Sequence, residues 1–151
     1  MAKTSHELAI EFAVEITELC SKIKGRPEYT KQLIRSASSI SANIAEAKYA
    51  ESNADFVHKL EIAQKEANET ENWLSVLYKS GIIDELNFKS LRNKCGKIRR
   101  MLIASITTVK SKSNGQMLLL SKTRKYNLQQ FSITYRIYNH EKEVINAIFQ
   151  V

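Results

Sequence analysis

Residues that break helices are scarce in this sequence, which holds one proline and four glycines among 151 residues. Long stretches without them favour long helices, because proline and glycine are the residues least compatible with a helix interior. The breakers that are present mark turns: Gly25 precedes Pro27, which suits the first turn of a new helix, and Gly81 follows a long apolar pattern. The sequence therefore predicts long helices joined by short turns.

Apolar residues recur at spacings of three and four in four successive segments, which is the pattern of a helix with one buried face. The first segment ends at Gly25, the second covers about residues 28–49, the third closes at Gly81 and the fourth ends near Lys112. The predicted core positions are Leu8, Phe12, Ile16, Leu19, Ile23, Leu33, Ala37, Ile40, Ile44, Ala47, Phe56, Leu60, Ala63, Ala67, Thr70, Leu74, Leu77, Phe88, Leu91, Cys95, Ile98, Leu102 and Val109.

Three of the predicted helices begin with residues that favour a helix start. Thr4, with Glu7 three positions later, forms a capping box, and Ser52 and Asp84 stand where the third and fourth helices should begin. Short connections force consecutive helices to run antiparallel. We therefore predict an all-α protein, an antiparallel up-down-up-down four-helix bundle over residues 1–112.

The segment after Lys112 has a different pattern. SNGQ at residues 113–116 interrupts the helical spacing, and FSITYRIY at residues 131–138 alternates apolar and polar side chains with the period of a strand. A lone hairpin is at best marginally stable. We assign residues 113–151 to a C-terminal extension, whose pattern is compatible with a β-hairpin, a partner-binding strand or a poorly ordered extension.

The composition is that of an ordinary globular protein, with 43% hydrophobic and 26% charged residues. No apolar run approaches the ~20 residues that cross a membrane, and the N-terminus lacks the pattern of a secretory signal. We expect a cytoplasmic protein without membrane contact. Cys20 and Cys95 lie within apolar patterns and lack the spacing of zinc ligands, so both are expected to be buried thiols.

No catalytic motif is found in the sequence. Neither a GxxxxGK[ST] nor a GxGxxG phosphate loop is present, and His6, His58 and His140 are dispersed. A di-iron bundle needs Glu-x-x-His on two helices, whereas this chain offers the related Asp55-x-x-His58 once. The glutamates of the third helix are spread around it and indicate a solvated face. We expect no catalytic residues, no metal site and no cofactor.

The charge distribution is more informative than the net charge of +7. Between Leu86 and Lys112 the fourth helix has eight basic residues and no acid, whereas the third helix is rich in glutamate. Such a helix is typical of proteins that contact nucleic-acid phosphates, and the alternative is that it pairs with the acidic third helix. The candidate nucleic-acid-binding residues are Lys89, Arg92, Lys94, Lys97, Arg99 and Arg100.

The stretch RSASSISANIAEA, residues 35–47, is unusually rich in serine and alanine for a helix. On a helical wheel, a second stripe lies about a quarter turn or more from the core stripe, and it consists of Ile34, Ser38, Ser41 and Ala45. Small side chains allow another helix to approach closely. We interpret this second stripe as a packing surface between subunits; the alternative is a thin helix packed tightly within its own bundle.

Four polar residues of the same helix carry further expectations. Ser36 and Asn43 flank the core stripe, where a buried asparagine often fixes helix register. Arg35 and Glu46 point outward on the wheel, so they can pair across an interface or remain solvated.

QLIRSASSISANIAEA, followed by DFVHKLEIAQKEANETENWL, resembles the four-helix-bundle proteins encoded in 23S rRNA intervening sequences, and the accessory proteins of diversity-generating retroelements are similar. The family pattern is roughly R-S-A-x-S-I-x-x-N-I-x-E-G, followed by a helix with phenylalanine, Ile-Ala and repeated glutamates. The resemblance covers about residues 5–112. The matching residues are Arg35, Ser36, Ala37, Ser39, Ile40, Asn43, Ile44, Glu46, Phe56, Leu60, Ile62, Ala63, Glu69 and Glu71.

The resemblance implies a ring-like homo-oligomer, typically a pentamer, a link to RNA or reverse-transcription machinery, and no catalytic activity. Ala47 stands where the family usually has glycine, so the second helix is expected to continue more regularly there, and the extension from Ser113 has no counterpart. We therefore predict a non-enzymatic oligomer that binds RNA or DNA. The alternative is an oligomeric scaffold for a protein partner, such as a reverse transcriptase, without direct nucleic-acid binding.

Overall fold

The computed structural model describes residues 3–114 and 125, and residues 3–114 form four helices. They are α1, Ser5–Lys22; α2, Pro27–Ala47; α3, Asn53–Lys79; and α4, residues 85–114. The connections between them are four or five residues long, so consecutive helices run antiparallel. The predicted all-α, four-helix fold is confirmed.

The chain divides into two units, residues 1–110 and 111–151. Helix α4 continues to residue 114, past its predicted end near Lys112. The domain boundary after Lys112 stays a prediction. The strand predicted at residues 131–138, and with it the form of the C-terminal extension, lies outside the described residues.

The predicted capping residues begin their helices as expected. Thr4 Oγ1 accepts a hydrogen bond from the Glu7 amide at 3.2 Å, and the Thr4 amide donates to the Glu7 carboxylate at 2.8 Å, which completes the capping box. Ser52 Oγ accepts from the Asp55 amide at 3.1 Å, and Asp84 Oδ1 accepts from the amide of residue 87 at 2.7 Å. These bonds satisfy amide groups that the first turn of a helix leaves without partners.

The apolar faces of the four helices meet in one core. Most predicted core residues are buried, and the larger ones near the bundle ends, such as Leu8, Phe56 and Phe88, are half-buried. Both cysteines are buried and free, as expected. Buried residues that the periodicity did not single out are Ala9, Ser36, Val57, Ile83, Gly96 and Ile106.

Helix α2 packs against α1 on one side and α3 on the other. The border with α1 is marked at one end by Cys20 Sγ, 3.9 Å from the Thr30 carbonyl oxygen, and at the other by Lys48 Nζ, 3.2 Å from His6 Nδ1. Helix α4 closes the bundle, because the Cys95 thiol donates to a carbonyl of α3 at 3.3 Å and other α4 side chains reach α1. The four helices therefore occupy the corners of the bundle in chain order.

Arg35 and Glu46 each form ion pairs with residues of α3. The expectations that they pair across an interface or remain solvated are therefore both wrong. The Arg35 guanidinium pairs with the carboxylates of Glu69 and Glu66, and Glu46 accepts a 2.6 Å bond from Lys59. The hydrogen bond from Arg35 lowers the pKa of the Glu69 carboxyl. These side chains link α2 to α3 because both lie at the edge where the two helices meet.

The expectation for Asn43 in α2 is wrong. Asn43 is half-buried, and its amide donates to the Ser39 carbonyl of its own helix at 2.8 Å, so it does not fix the register between helices. The helix includes Ala47, and Lys48 caps it with φ of −64° and ψ of −22°; that alanine makes this end more regular than glycine would stays a prediction. Over residues 3–114, no helix is both long enough and apolar enough to cross a bilayer.

Candidate nucleic-acid interface

Helix α4 directs its basic side chains away from the core. Leu91, Cys95, Ile98 and Leu102 are buried at spacings of three and four, and this period leaves the remaining positions at the edges or on the outside. Of the six candidate nucleic-acid-binding residues, five are exposed and Arg99 is half-buried. We call the outer surface formed by Lys89, Arg92, Lys94, Lys97, Arg99 and Arg100 the α4 surface.

Glu71 of α3 binds two arginines of the α4 surface. Its Oε1 accepts from Arg92 Nε at 2.9 Å, and its Oε2 accepts from Arg99 Nη1 at 2.9 Å. Arg99 Nη1 also donates to Asn68 Oδ1 at 2.9 Å, and the Arg92 guanidinium lies 5.8 Å from the centre of the Phe88 ring. One carboxylate therefore faces two guanidinium groups, and this trio keeps a net positive charge.

Two lysines of the α4 surface have carboxylate partners of their own. Lys89 pairs with Glu85 one turn earlier on α4, at 2.6 Å, and this bond raises the pKa of Lys89. Lys94 reaches across to Glu15 on α1. These pairs are exposed, and exposed pairs contribute ~0–1 kcal/mol and weaken with salt.

Lys97 and Arg100 have no carboxylate partner among the described residues. Both are exposed, and their spacing of three places them on the same side of α4. The six cations of the α4 surface therefore share three carboxylates, those of Glu15, Glu71 and Glu85. Pairing with the acidic third helix, the alternative inferred from the sequence, applies to two of the six, Arg92 and Arg99, and also to Lys110 of α4, which pairs with Glu61 at 2.7 Å. The α4 surface remains positive.

The structure also identifies acidic partners that the sequence pattern did not single out. The pattern groups Glu71 with the solvated glutamates of the third helix, yet Glu71 follows the buried Thr70 and lies three residues before the buried Leu74. This spacing indicates a position at the edge of the core, from which a side chain can reach a neighbouring helix. Glu15 of α1 follows the same rule, because it precedes the buried Ile16.

The predicted packing stripe of α2 lies along its border with α1. In the single chain, Ile34, Ser41 and Ala45 are half-buried and Ser38 is exposed. Together with Thr30 and Lys48, the two α2 residues that contact α1, they recur at spacings of three and four and therefore lie on the same face of α2. The small side chains of this stripe therefore allow α2 to pack closely against α1, and the stripe remains partly exposed to solvent.

Helix α1 contributes apolar side chains to the same surface. Ile10 is 45% exposed and Val14 is 51% exposed, although each is a large aliphatic residue. Ile10 lies in the stripe that runs from His6 to Cys20, the two α1 residues that mark the α2 border. We call the uncharged patch formed by these two helices the α1–α2 surface, and it consists of Ile10, Ala13, Val14, Thr17, Ile34, Ser38, Ser41 and Ala45.

The groups that most often carry chemistry are shielded or dispersed in the described part of the chain. Burial raises the pKa of the Cys20 thiol to about 11 and, with a smaller contribution from Glu71, that of Cys95 to about 12. Both are therefore neutral thiols at physiological pH. His58 is exposed, and residues 3–114 contain no group of three or more histidine, cysteine, aspartate or glutamate side chains placed to hold a metal ion.

Comparison with known proteins relates this bundle to a family. The family model of the 23S rRNA-intervening sequence protein matches residues 4–104. No curated protein matches the chain significantly. A solved structure, at 1.70 Å resolution, of a protein of unknown function from the S23 ribosomal protein family of Bacteroides thetaiotaomicron VPI-5482 is 42% identical to it. The match covers 68% of this chain and 98% of that one, with a TM-score of 0.65. This chain belongs to the family of 23S rRNA-intervening sequence proteins.

Proposed function

We propose that this protein is a non-enzymatic, self-associating bundle that binds the backbone of RNA or DNA through the α4 surface. The observation that carries the proposal is the excess of cations on that surface, where six basic side chains share three carboxylates. The excess has the same sign as the net charge of +7. Phosphate contacts of this kind give affinity without sequence specificity.

The existing ion pairs are compatible with this function. Lys97 and Arg100 are open to a phosphate group, and the exposed pairs of Lys89 and Lys94 cost little to exchange. Arg92 and Arg99 share Glu71, so a phosphate that binds one of them leaves the other with the carboxylate. No element of the described bundle is shaped to read bases, so we expect contacts to the backbone.

Self-association is the second part of the proposal, and the α1–α2 surface supports it. This patch is uncharged and includes the exposed Ile10 and Val14 beside the small residues of α2. Interfaces between subunits are depleted in charge at their centre. A homo-oligomer, for which we propose a ring of five copies, would repeat the α4 surface and strengthen weak phosphate contacts through multivalency.

We also propose a cytoplasmic location. Cys20 and Cys95 are both free and buried. Proteins of oxidising compartments tend to use their cysteines in disulfides, whereas free buried thiols are typical of the cytoplasm.

The test replaces Arg92, Arg99 and Arg100 with glutamine in the full chain and titrates a structured RNA and a random DNA duplex at several salt concentrations. We expect wild type to bind both, with affinity that falls steeply as salt rises. Each lost phosphate contact should reduce the log-affinity against log-salt slope by about one, equally for both ligands.

The matched control removes the same charge elsewhere. Lys31, Lys65 and Lys79 are exposed lysines outside α4, and replacing them with glutamine should leave the slope close to that of wild type. Absence of binding at low salt, or an equal loss in both triple variants, contradicts the proposed interface.

The second candidate is an oligomeric scaffold that binds a protein, such as a reverse transcriptase, and no nucleic acid. The observation that favours it is the pairing of four of the six α4 cations with carboxylates of this chain. A wild-type protein that assembles but binds neither nucleic acid at low salt would favour this candidate.

A further inference from the structure

A second cationic region lies away from the α4 surface, at the end of the bundle where two turns meet. The α1–α2 turn, residues 23–26, and the α3–α4 turn, residues 80–84, share this end because the helices alternate in direction. Between them lies a cavity of about 550 Å³. This volume is within the ~300–1,000 Å³ range of small-molecule sites, so it can hold more than a lone inorganic ion.

The rim of this cavity carries three basic side chains. Lys22 is the last residue of α1, and Lys24 and Arg26 belong to the turn that follows. None of the three forms an ion pair among residues 3–114, in contrast to most cations of the α4 surface. Their charges are therefore available to an anion from outside the chain.

The carboxylate at the rim does not neutralise them. Asp84 Oδ1 accepts from the Asn87 amide at 2.7 Å, and Oδ2 accepts from Asn87 Nδ2 at 2.8 Å. These hydrogen bonds lower the pKa of Asp84, and both of its oxygens face the start of α4. The rim therefore has three cations against one carboxylate that is already hydrogen-bonded.

The backbone holds these cations in a defined turn. Gly25 adopts φ of +70°, the left-handed region that favours glycine, and the Ile23 amide donates to the Cys20 carbonyl at 3.1 Å. Apart from Gly25 and its two chain neighbours, no residue has an atom within 4 Å of the place where a side chain on Gly25 would begin, so the backbone there is open. A ligand can approach the turn closely without moving it.

Apolar side chains line the remainder of the cavity. Leu19 and Ile23 come from α1 and its turn, and Ile82 and Ile83 come from the opposite turn. A cationic rim beside an aliphatic wall suits a molecule with an anionic end and a flat, weakly polar body. Inorganic phosphate would use the rim alone.

We propose that this cavity binds a nucleotide, with its phosphate groups on Lys22, Lys24 and Arg26 and its base against Ile23 and Ile82. The site shares no residue with the α4 surface and stands independently of the function proposed above. Two sources offer this chemistry, a free nucleotide and the phosphorylated end of a nucleic-acid strand.

The test measures binding of adenosine, adenosine monophosphate and adenosine diphosphate to the full chain by calorimetry. We expect affinity to rise with each phosphate, because each adds contacts with the rim. The variant Lys24→Gln/Arg26→Gln should weaken diphosphate binding about tenfold for each phosphate-contacting charge that it removes.

A short RNA with and without a 5′-phosphate distinguishes a free nucleotide from a strand end as the ligand. Preference for the phosphorylated RNA, lost in the same variant, assigns the site to strand ends.

Two control variants test whether binding depends on the rim and on the aliphatic wall of this cavity. Lys79→Gln removes a charge from an exposed lysine at the same end of the bundle that does not line the cavity, and it should leave binding unchanged. Ile82→Ala should weaken the diphosphate but not pyrophosphate, because pyrophosphate has no base to contact the aliphatic wall.

Three results would overturn the proposal: no binding of any phosphorylated ligand, equal affinity in wild type and Lys24→Gln/Arg26→Gln, or equal binding of diphosphate and pyrophosphate. Loss of nucleotide binding in the Arg92, Arg99 and Arg100 variant, with the cavity variant unaffected, would assign the ligand to the α4 surface instead. Failure of nucleotide binding while the α4 variant still loses RNA would leave the proposed function intact.

Discussion

Thr70 Oγ1 on α3 lies 2.9 Å from Ser36 Oγ on α2, and both side chains are fully buried. Each hydroxyl also has a carbonyl of its own helix within reach, Glu66 for Thr70 at 2.8 Å and Leu33 for Ser36 at 3.2 Å. Buried hydroxyls without partners are costly, so this contact favours one register of α2 against α3. The role that the sequence suggested for Asn43 therefore belongs to Ser36 and Thr70.

The first prediction concerns this pair. Thr70→Val, which keeps the shape of the side chain and removes the hydroxyl, should lower the free energy of unfolding by about 1 kcal/mol. Ser36→Ala should cost a similar amount, and the double variant should cost less than both together, since residues in contact are coupled. Urea denaturation of the four proteins measures this, and strictly additive losses would contradict a shared hydrogen bond.

The second prediction concerns Glu71. Glu71→Gln keeps the size of the side chain but releases Arg92 and Arg99 from their shared carboxylate. If the α4 surface binds phosphates, the variant should bind RNA more tightly at low salt, with a salt slope steeper by about one. Glu18→Gln removes an exposed carboxylate from α1 and is the matched control. Fluorescence anisotropy compares them, and an equal gain in both variants would mean that only the net charge matters.

The third prediction concerns assembly. Ser41→Arg or Ala45→Arg puts a long, charged side chain on the α1–α2 surface, where we propose that a second copy approaches. Light scattering should show smaller particles than wild type, while circular dichroism shows the same helix content. Wild type itself should exceed the 17.3 kDa mass of one chain at micromolar concentration. A monomeric wild type would contradict the prediction.

The fourth prediction concerns Gly96, a buried glycine in the middle of α4. A methyl group there would meet only the flexible end of the Arg100 side chain, at 3.5 Å, which is an ordinary contact. Gly96→Ala should therefore stabilise the bundle by ~0.5–1 kcal/mol, because glycine loses more backbone freedom on folding. Thermal unfolding measures the gain. Gly25→Ala is the control and should destabilise, since residue 25 has φ of +70°.

The fifth prediction is a pH dependence. Burial raises the pKa of Cys20 to about 11 and of Cys95 to about 12, above the ordinary value of 9.0. Below about pH 9 the thiols are protonated in both the folded and the unfolded chain. Above about pH 9 the unfolded chain loses these protons first, so the free energy of unfolding should fall as pH rises.

Urea denaturation at about pH 8 and about pH 10.5 measures this fall, which Cys20→Ala/Cys95→Ala should reduce. An identical fall in the double variant would mean that the tyrosines and lysines, and not the two cysteines, cause the loss of stability at high pH.

The helices could be predicted because their signals are local. Thr4 with Glu7, Ser52 with Asp55, and the period of the apolar residues each act within one or two turns of a helix. They specify where a helix begins and which face it buries without knowledge of the rest of the chain.

The electrostatic partners could not be predicted in this way. Glu71 meets Arg92 and Arg99, and Glu15 meets Lys94, only because α4 docks between α3 and α1 in one register. The position of Ile10 beside the small residues of α2 likewise depends on the α1–α2 contact. A single sequence shows which residues lie on the outside of each helix, whereas tertiary packing decides what they face.

The shielding of both native thiols has a practical consequence for site-specific labelling. A maleimide probe reacts with the thiolate, which Cys20 and Cys95 withhold at neutral pH. A cysteine introduced at the exposed Ala54 of α3, outside the α4 and α1–α2 surfaces, would therefore take up a dye or a nitroxide selectively in the native background. In the self-associated form that we propose, the spacing between such labels would report the distance between copies without removal of either native cysteine.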